Sequence, residues 1–278
     1  MSFYSFLFVH NDVEMSGKKC NNIMRNSKGI AYIMENVTAL ILAAGEGKRM
    51  KSEKAKVLHQ VCGKAMIEWV YDAARNAGID KCVAIVGHKA EQVMEYMGDR
   101  VEYVMQEQRL GTGHAVQMAR SYIDKGGYIL ILYGDTPLIT SKTIKNAMEK
   151  LMTEKLNAVV ISADVEDPYG YGRIVRDAQG RFLRIVEHRD ASEEEKSIRE
   201  INSGMYIFSA GELAEALDLL RNDNDQQEYY LTDTLEIMLS KGYKVGVYKA
   251  ADSREVLGAN DQEQLMRISR ILEERIGN

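Results

Sequence analysis

From residue 37 onward the chain alternates short apolar runs with amphipathic stretches. The runs at 37–42, 82–86, 101–105, 128–132, 158–163, 205–208 and 244–248 are rich in Val, Ile and Tyr. They are too continuous for one-sided surface strands and predict buried β-strands. Between them, apolar residues at helical spacing predict helices over 66–76, 90–97, 113–122, 141–155, 210–219 and 232–240. Leu265, Ile268, Leu272 and Ile276 predict a last helix over 262–276. Strand–helix alternation predicts an α/β protein, a three-layer α/β/α sandwich around a mostly parallel mixed sheet. The apolar pairs around Asp177-Ala-Gln-Gly180 predict an inserted hairpin lobe, with strands at 174–175 and 182–186. Residues 190–200 carry many charges and no apolar period, which predicts a mobile surface loop.

Residues 11–27 are polar and aperiodic, so the fold is expected to begin near Met34. This divides the chain into an extension outside the core (1–33), a main domain (34–261) and a C-terminal helix (262–278). The extension is expected to be dispensable. The 278 residues suit one large α/β domain, and two prolines with no flexible linker argue for one domain with two lobes. The net charge of -5 argues against nucleic-acid binding, which needs Lys and Arg to neutralise phosphates. Cys20, Cys62 and Cys82 show no metal or redox spacing and read as free thiols in a reducing compartment. No segment has the length of a membrane span, and the apolar residues at 3–9 lack the flanks of a signal peptide. A cytoplasmic protein with no membrane partner is expected; the pattern says nothing about oligomeric state.

The first strand runs into Leu42-Ala-Ala-Gly45-Glu-Gly47-Lys48-Arg49-Met50, and Lys51, Lys54 and Lys56 follow. Small residues at the carboxyl end of a strand let a ligand approach the backbone, and ligands of open α/β sheets lie at that edge. The concentrated positive charge suits a triphosphate. Met50 stands where either a P-loop or a dinucleotide-binding loop needs glycine, so both are excluded. A second apolar strand ends in Tyr133-Gly134-Asp135. Alone, an Asp before Pro137 reads as a turn residue. Facing a triphosphate, its carboxylate is a natural Mg²⁺ ligand, because Mg²⁺ takes one or two protein oxygens and completes its shell with phosphate and water.

Further motifs fall in order: Lys56-Val-Leu-His59, Gly63-Lys-Ala-Met66, Leu110-Gly-Thr-Gly-His-Ala115, Gly170-Tyr-Gly-Arg173, Val186-Glu-His188 and Glu200-Ile-Asn202-Ser-Gly204. Together they make residues 37–276 resemble the uridyltransferase domain of the bacterial bifunctional N-acetylglucosamine-1-phosphate uridyltransferases. The resemblance implies a Rossmann-like nucleotidyltransferase fold and a Mg²⁺-dependent transfer of uridylyl from UTP to N-acetylglucosamine-1-phosphate. Leu42, Ala43, Ala44 and Gly45 would cradle the nucleotide, with Gln106, Gly111 and Thr112 at the uracil and Tyr133 and Gly134 nearby. Arg49 and Lys56 would bind phosphate and act with Asp135 in catalysis; Asp135 and Asn260 would hold the metal; Gly172, Glu187 and Asn202 would contact the sugar.

The bifunctional family continues into an acetyltransferase β-helix whose hexapeptide repeat is not seen here, so no acetyl transfer is expected. A uridylyltransferase for another sugar phosphate, or a regulatory nucleotide-binding protein without turnover, are the alternatives. His59 and His114 are expected to pack or bond backbone rather than act as bases. Cys62 has no adjacent base to make it a nucleophile.

Overall fold

The computed structural model describes residues 23–25, 31–33, 37–123, 127–224 and 226–277. They fall into two units, Met1–Glu35 and Asn36–Asn278. In the first, β1 (Ile23–Arg25) pairs antiparallel with β2 (Ala31–Ile33), so the expected aperiodic stretch holds a short ribbon. Cys20 lies outside the described residues.

The second unit is organised by β3 (Val37–Ala43), a seven-residue strand buried along its whole length. It lies parallel to β6 (Lys81–Val86) on one side and β8 (Tyr128–Tyr133) on the other. Beyond β6 lies the parallel strand β7 (Glu102–Met105). Beyond β8 the sheet continues through β12 (Glu200–Ser209), β9 (Ala158–Asp164) and β13 (Val245–Lys249). Only β12 runs against the others of this row, so the sheet is mixed but mostly parallel. The hairpin β10 (Arg173–Arg176) and β11 (Phe182–Val186) attaches at Ile201 of β12. A minor ribbon joins β4 (Gln60–Val61) and β5 (Lys64–Ala65).

Alternate residues of a strand face opposite sides of its sheet, and β3 uses both. Leu40 and Leu42 join a core cluster with α3 (Thr112–Met118), α6 (Ala210–Leu217) and α7 (Asp233–Ser240). On the other side α1 (Met66–Ala77) packs on β3 and β8, beside α4 (Ser141–Glu154). Helix α1 buries Met66, Ile67, Val70, Ala73, Ala74 and Ala77 on one stripe, and the Gly78 N–H closes its end on the Ala74 and Arg75 carbonyls. Helix α2 (Ala90–Met97) follows β6. The three-layer α/β/α architecture read from the sequence is therefore the one observed.

Four local expectations are corrected. The 205–208 run is only the second half of β12; Glu200, Asn202 and Gly204 in its first half hide the strand from a hydrophobicity pattern. Residues 190–200 are not a structureless loop: Ala191 is buried, and α5 (Glu193–Lys196) starts with a capping box between Ser192 and Glu195. Helix α3 stops at Met118, and a separate 3-10 turn carries Arg120 to Tyr122. Helix α8 (Gln262–Gly277) buries Leu265, Ile268, Ile271 and Leu272, whereas Ile276 is 58% exposed.

The hairpin lobe hangs on a charged anchor. Glu200 is buried and accepts both Nε (2.9 Å) and Nη2 (2.7 Å) of Arg176, and Ser162 donates to it at 2.6 Å. Burial pushes the Glu200 carboxyl up, but the hydrogen bonds from Arg176 and Ser162 and the nearby positive charges outweigh it and hold the group below its usual range. Replacing Glu200 with Ala strands the Arg176 guanidinium against the sheet. The expected cost is about 2–4 kcal/mol in urea unfolding, below the full value for a buried pair because Arg176 stays partly solvated. A loss under ~0.5 kcal/mol would show that the hairpin does not depend on this anchor.

Candidate functional site

The chemistry-bearing residues collect at the carboxyl edge of the parallel strands, where consecutive loops meet. After β3 the chain turns through Gly45 and Gly47 into a 3-10 turn, Lys48–Met50, whose Met50 is buried against Ala259 and Leu265. Gly47 adopts φ +64, and a Cβ there would stand 2.7 Å from the Lys56 Cβ. Glycine at this point lets the loop fold closely over Lys56. Of the basic residues after β3, Lys48, Arg49, Lys51 and Lys54 are exposed, and only Lys56 lines the cleft. Its side chain is 13% exposed.

Lys56 Nζ donates to Asp135 Oδ2 and, at 2.8 Å, to Asn260 Oδ1. Asp135 follows β8, and Asn260 lies 125 positions later, just before α8. The two are tied by the Ala259 N–H, which donates to the Asp135 carbonyl at 3.0 Å. A carboxylate oxygen and an amide oxygen thus converge on one cationic nitrogen. Two hard oxygens with one negative charge also fit a divalent cation that takes its other ligands from phosphate and water. Among the described residues no group of three or more His, Cys, Asp or Glu is gathered for a metal. A cation bound here would find few protein ligands besides Asp135 and Asn260.

A cleft of about 350 Å³ opens beside this cluster. Leu42, Ala43, Ala44 and Gly45 form one wall; Gln106, Gly111, Thr112 and Tyr133 form another, with Asp135 and Asn260 at the end. Two expected residues are absent from its wall. Gly134 sits behind it, its N–H bonded to the Leu42 carbonyl at 2.9 Å, and Arg49 is exposed on its turn. Arg109 and Glu228 line the cleft although no motif singled them out. Arg109 pairs with Glu46 at 2.8 Å, which ties the loop after β7 to the loop after β3. A lone Arg and Glu in loops carry no pattern that would have announced them.

A second, larger cleft of about 780 Å³ shares Thr112, Tyr133 and Glu228 with the first. Glu187 and Asn202 line it, together with Tyr230 and Thr232 from the segment before α7. That segment is held by Gly113 N–H to Tyr229 carbonyl and Tyr229 N–H to Leu110 carbonyl, both 2.7 Å. The strand β12 slips by two residues against β9 between Asn202 and Tyr206. Gly204 in this bulge has φ +79, and a Cβ there would meet the Tyr133 ring at 2.7 Å. The bulge thus seats Tyr133 between the clefts. Asn202 donates to the Tyr206 hydroxyl at 2.7 Å and accepts from Gly204 N–H at 3.0 Å. Gly172 is not on the wall; its carbonyl accepts the Asn202 N–H at 2.8 Å, and it backs the Glu187 carboxylate.

Other singled-out side chains take supporting places. Burial and the charges of Lys54 and Lys89 depress the His59 pKa, and its main chain bonds Lys56 and Met66. His114 differs from the expectation, because its ring meets a side chain, Gln106, at 3.2 Å. Cys62 and Cys82 are free thiols, both pushed up by burial, Cys82 to about 11, so neither is poised as a nucleophile. No helix among the described residues is long and apolar enough to cross a membrane.

Comparison with known proteins identifies the family. Residues 38–254 match the family described as nucleotidyl transferase. The chain is 56% identical over 244 residues to the bifunctional protein GlmU of Acetivibrio thermocellus, covering 87% of this chain and 53% of that protein. It is 50% identical over 243 residues to that of Thermoanaerobacter pseudethanolicus (87% and 53%) and 47% over 241 residues to that of Clostridioides difficile (87% and 52%). The chain spans about half the length of these curated relatives.

Glu187 shares its surroundings with a second carboxylate. Burial, then the charge of Asp190, raises the Glu187 pKa. Burial, then the charges of Glu236 and Glu187, pushes Asp233 from 3.8 up to about 6. The folded chain therefore holds the Asp233 proton more tightly than the unfolded chain. Its favourable contribution is full below pH 3.8 and is lost as pH rises through about 6. In Asp233→Asn that loss disappears. The stability of the variant relative to wild type should rise by about 1 kcal/mol between pH 4 and 7, after discounting for partial exposure. Denaturant titrations across this range check it; a difference that stays flat would mean Asp233 is not perturbed.

Proposed function

Since the chain belongs to the nucleotidyl transferase family, we propose that it transfers uridylyl from UTP to N-acetylglucosamine-1-phosphate, giving UDP-N-acetylglucosamine and pyrophosphate. The observation that carries this reading is the Lys56–Asp135–Asn260 cluster beside a cleft that shares Thr112, Tyr133 and Glu228 with a second one. One cleft then takes the nucleotide and the other the sugar phosphate. The similarity to proteins named bifunctional protein GlmU supports the choice of nucleotide and sugar.

In this reading the small residues Ala43, Ala44 and Gly45 after Leu42 admit the nucleotide to the sheet edge, and Gln106 with Gly111 and Thr112 meets the uracil. Glu187 and Asn202, backed by Gly172, meet the sugar. Their carboxylate and amide suit hydroxyls and an acetamido group, and a polar site rejects an analogue that leaves its own groups unpaired. A phosphate oxygen of the sugar phosphate forms a bond to the α-phosphorus of UTP. The bond from that phosphorus to the bridging oxygen breaks, and the electron pair leaves on pyrophosphate. The attacking oxygen is already ionised near neutral pH, so no general base is required. The work of the site is alignment and charge stabilisation.

Asp135 and Asn260 would hold Mg²⁺, which when bound neutralises phosphate charge. Lys56, released from those two oxygens, is within the cleft to take charge on the transferring phosphate. Arg49, exposed beside the loop and without an ion pair among the described residues, can turn onto the departing pyrophosphate. The reaction belongs in the cytoplasm, where UTP is available.

Pyrophosphate release with a panel of sugar phosphates tests the reading. The specificity constant for N-acetylglucosamine-1-phosphate should exceed that for glucose-1-phosphate; equal or better use of glucose would sink the sugar assignment and leave the reaction type standing. Asp135→Asn keeps the side-chain shape and removes the charge. Turnover should fall by roughly a hundredfold or more, the scale of losing a key electrostatic stabiliser. UTP should still bind, with weaker dependence on Mg²⁺. Near-normal turnover with an unchanged Mg²⁺ response would make Asp135 a turn residue.

A further inference from the structure

Gln106 is buried, 4% exposed, at the end of β7, and its N–H donates to the Val86 carbonyl at 2.8 Å. Its side chain lines the smaller cleft, yet the amide nitrogen is fully engaged elsewhere. Nε2 donates to the Gly111 carbonyl at 3.1 Å and meets His114 Nδ1 at 3.2 Å. The Gly111 carbonyl can only accept, so the end of the amide facing it is the NH₂. Both hydrogens of that NH₂ are then spoken for, one by Gly111 and one by His114. An amide nitrogen has no lone pair to offer, so His114 Nδ1 accepts and the neutral ring carries its proton on Nε2. What remains for the cleft is the Gln106 oxygen, an acceptor that cannot rotate into a donor without breaking two hydrogen bonds.

The His114 ring is itself held. It rests near Tyr229, with ring centroids 6.4 Å apart, and borders a separate pocket of about 580 Å³ behind α3. The polar groups of that pocket are committed to one another. Arg120 pairs with Asp218 at 2.8 Å, and Gln117 donates to the Leu217 carbonyl at 2.8 Å. Neither competes for Nδ1 in the described arrangement.

We propose that His114 is a positioning residue for nucleobase choice, accepting the second amide hydrogen of Gln106 and so presenting a fixed acceptor to the base. A fixed acceptor favours the N3–H of uracil. It repels the N3 lone pair of cytosine, so a cytosine nucleotide leaves a buried oxygen unpaired. The inference rests on the reading of the smaller cleft as a uridine nucleotide site. It goes beyond that reading by naming the group, remote from the ligand, that sets the base preference.

The test is equilibrium binding of UTP and CTP to the full chain by calorimetry, which needs neither turnover nor a sugar phosphate. Wild type should prefer UTP. His114→Leu removes the acceptor, and the ratio of CTP to UTP dissociation constants should fall about tenfold or more, through weaker UTP and unchanged or tighter CTP. His114→Gln keeps an acceptor at this position and should hold the ratio within about threefold of wild type. Parallel weakening of both nucleotides in His114→Leu, or an unchanged ratio, would overturn the proposal, as would a wild type without UTP preference. Nitrogen-15 spectra of the wild type supply a readout that needs no variant: the Nε2–H tautomer supports the proposal and the Nδ1–H tautomer overturns it. A ratio that collapses as expected in a chain that releases no pyrophosphate would support His114's role while removing the transferase reading.

Discussion

The loop that carries Asn260 is closed onto the end of β8 by one backbone hydrogen bond, from Ala259 N–H to the Asp135 carbonyl, and by Lys56 reaching both side chains. Three segments far apart in the chain meet there. Each is held from behind: Lys56 under the turn at Gly47, Asp135 in the turn just past the central strand β8, and Asn260 by its N–H to Gln264 at 2.7 Å and by α8 docked through Leu265 and Ile268. Two oxygens held in this way would repel each other or waste hydrogen-bonding capacity without a cation between them. The Lys56 ammonium meets that need here; in the proposed reaction it would yield the two oxygens to the metal that accompanies the nucleotide.

The rest of the site follows from where the parallel strands end. Loops after β3, β7 and β8 open on the same edge, so one cleft collects small residues, an amide and a carboxylate without any of them being neighbours in sequence. The antiparallel strand β12 adds what a purely parallel sheet lacks. Its bulge at 202–206 gives Tyr133 space beneath Gly204 and turns Asn202 toward the second cleft. The anchor of Arg176 on Glu200 then fixes the hairpin that ends in Glu187. The wall of the larger cleft is therefore stabilised by a partly buried ion pair, and that of the smaller cleft by β-sheet backbone.

Much of this was legible in the residues. The buried strands announced themselves because a strand covered on both faces reads as a nearly continuous apolar run, as β3, β6 and β9 do. Helices α1, α2 and α4 were visible from their one-sided apolar stripes. The first half of β12 was not, because its polar residues find partners elsewhere inside the fold: Glu200 with Arg176 of β10 and Asn202 with Tyr206. Helix α5 escaped for the opposite reason. It is a single charged turn held by its capping box, with no apolar face to read. Ile276 fitted the period of α8 but is exposed, while Ile271 is buried with Leu265, Ile268 and Leu272.

Read alone, the sequence determined the layered α/β architecture, the family resemblance and the residue types that nucleotide chemistry needs, because these depend on local periodicity and on short contiguous motifs. Tertiary structure decided which of those residues meet. Lys56 reaches Asp135 and Asn260 while Lys48, Lys51 and Lys54 stay in solvent; Gly134 and Gly172 stand behind their clefts; and His114 is turned onto the amide of Gln106. The reason is that a side chain's partner is set by loop closure and helix docking, across 8 positions for Gln106 and His114, 79 for Lys56 and Asp135, and 204 for Lys56 and Asn260. Spacing along the chain holds no record of that distance.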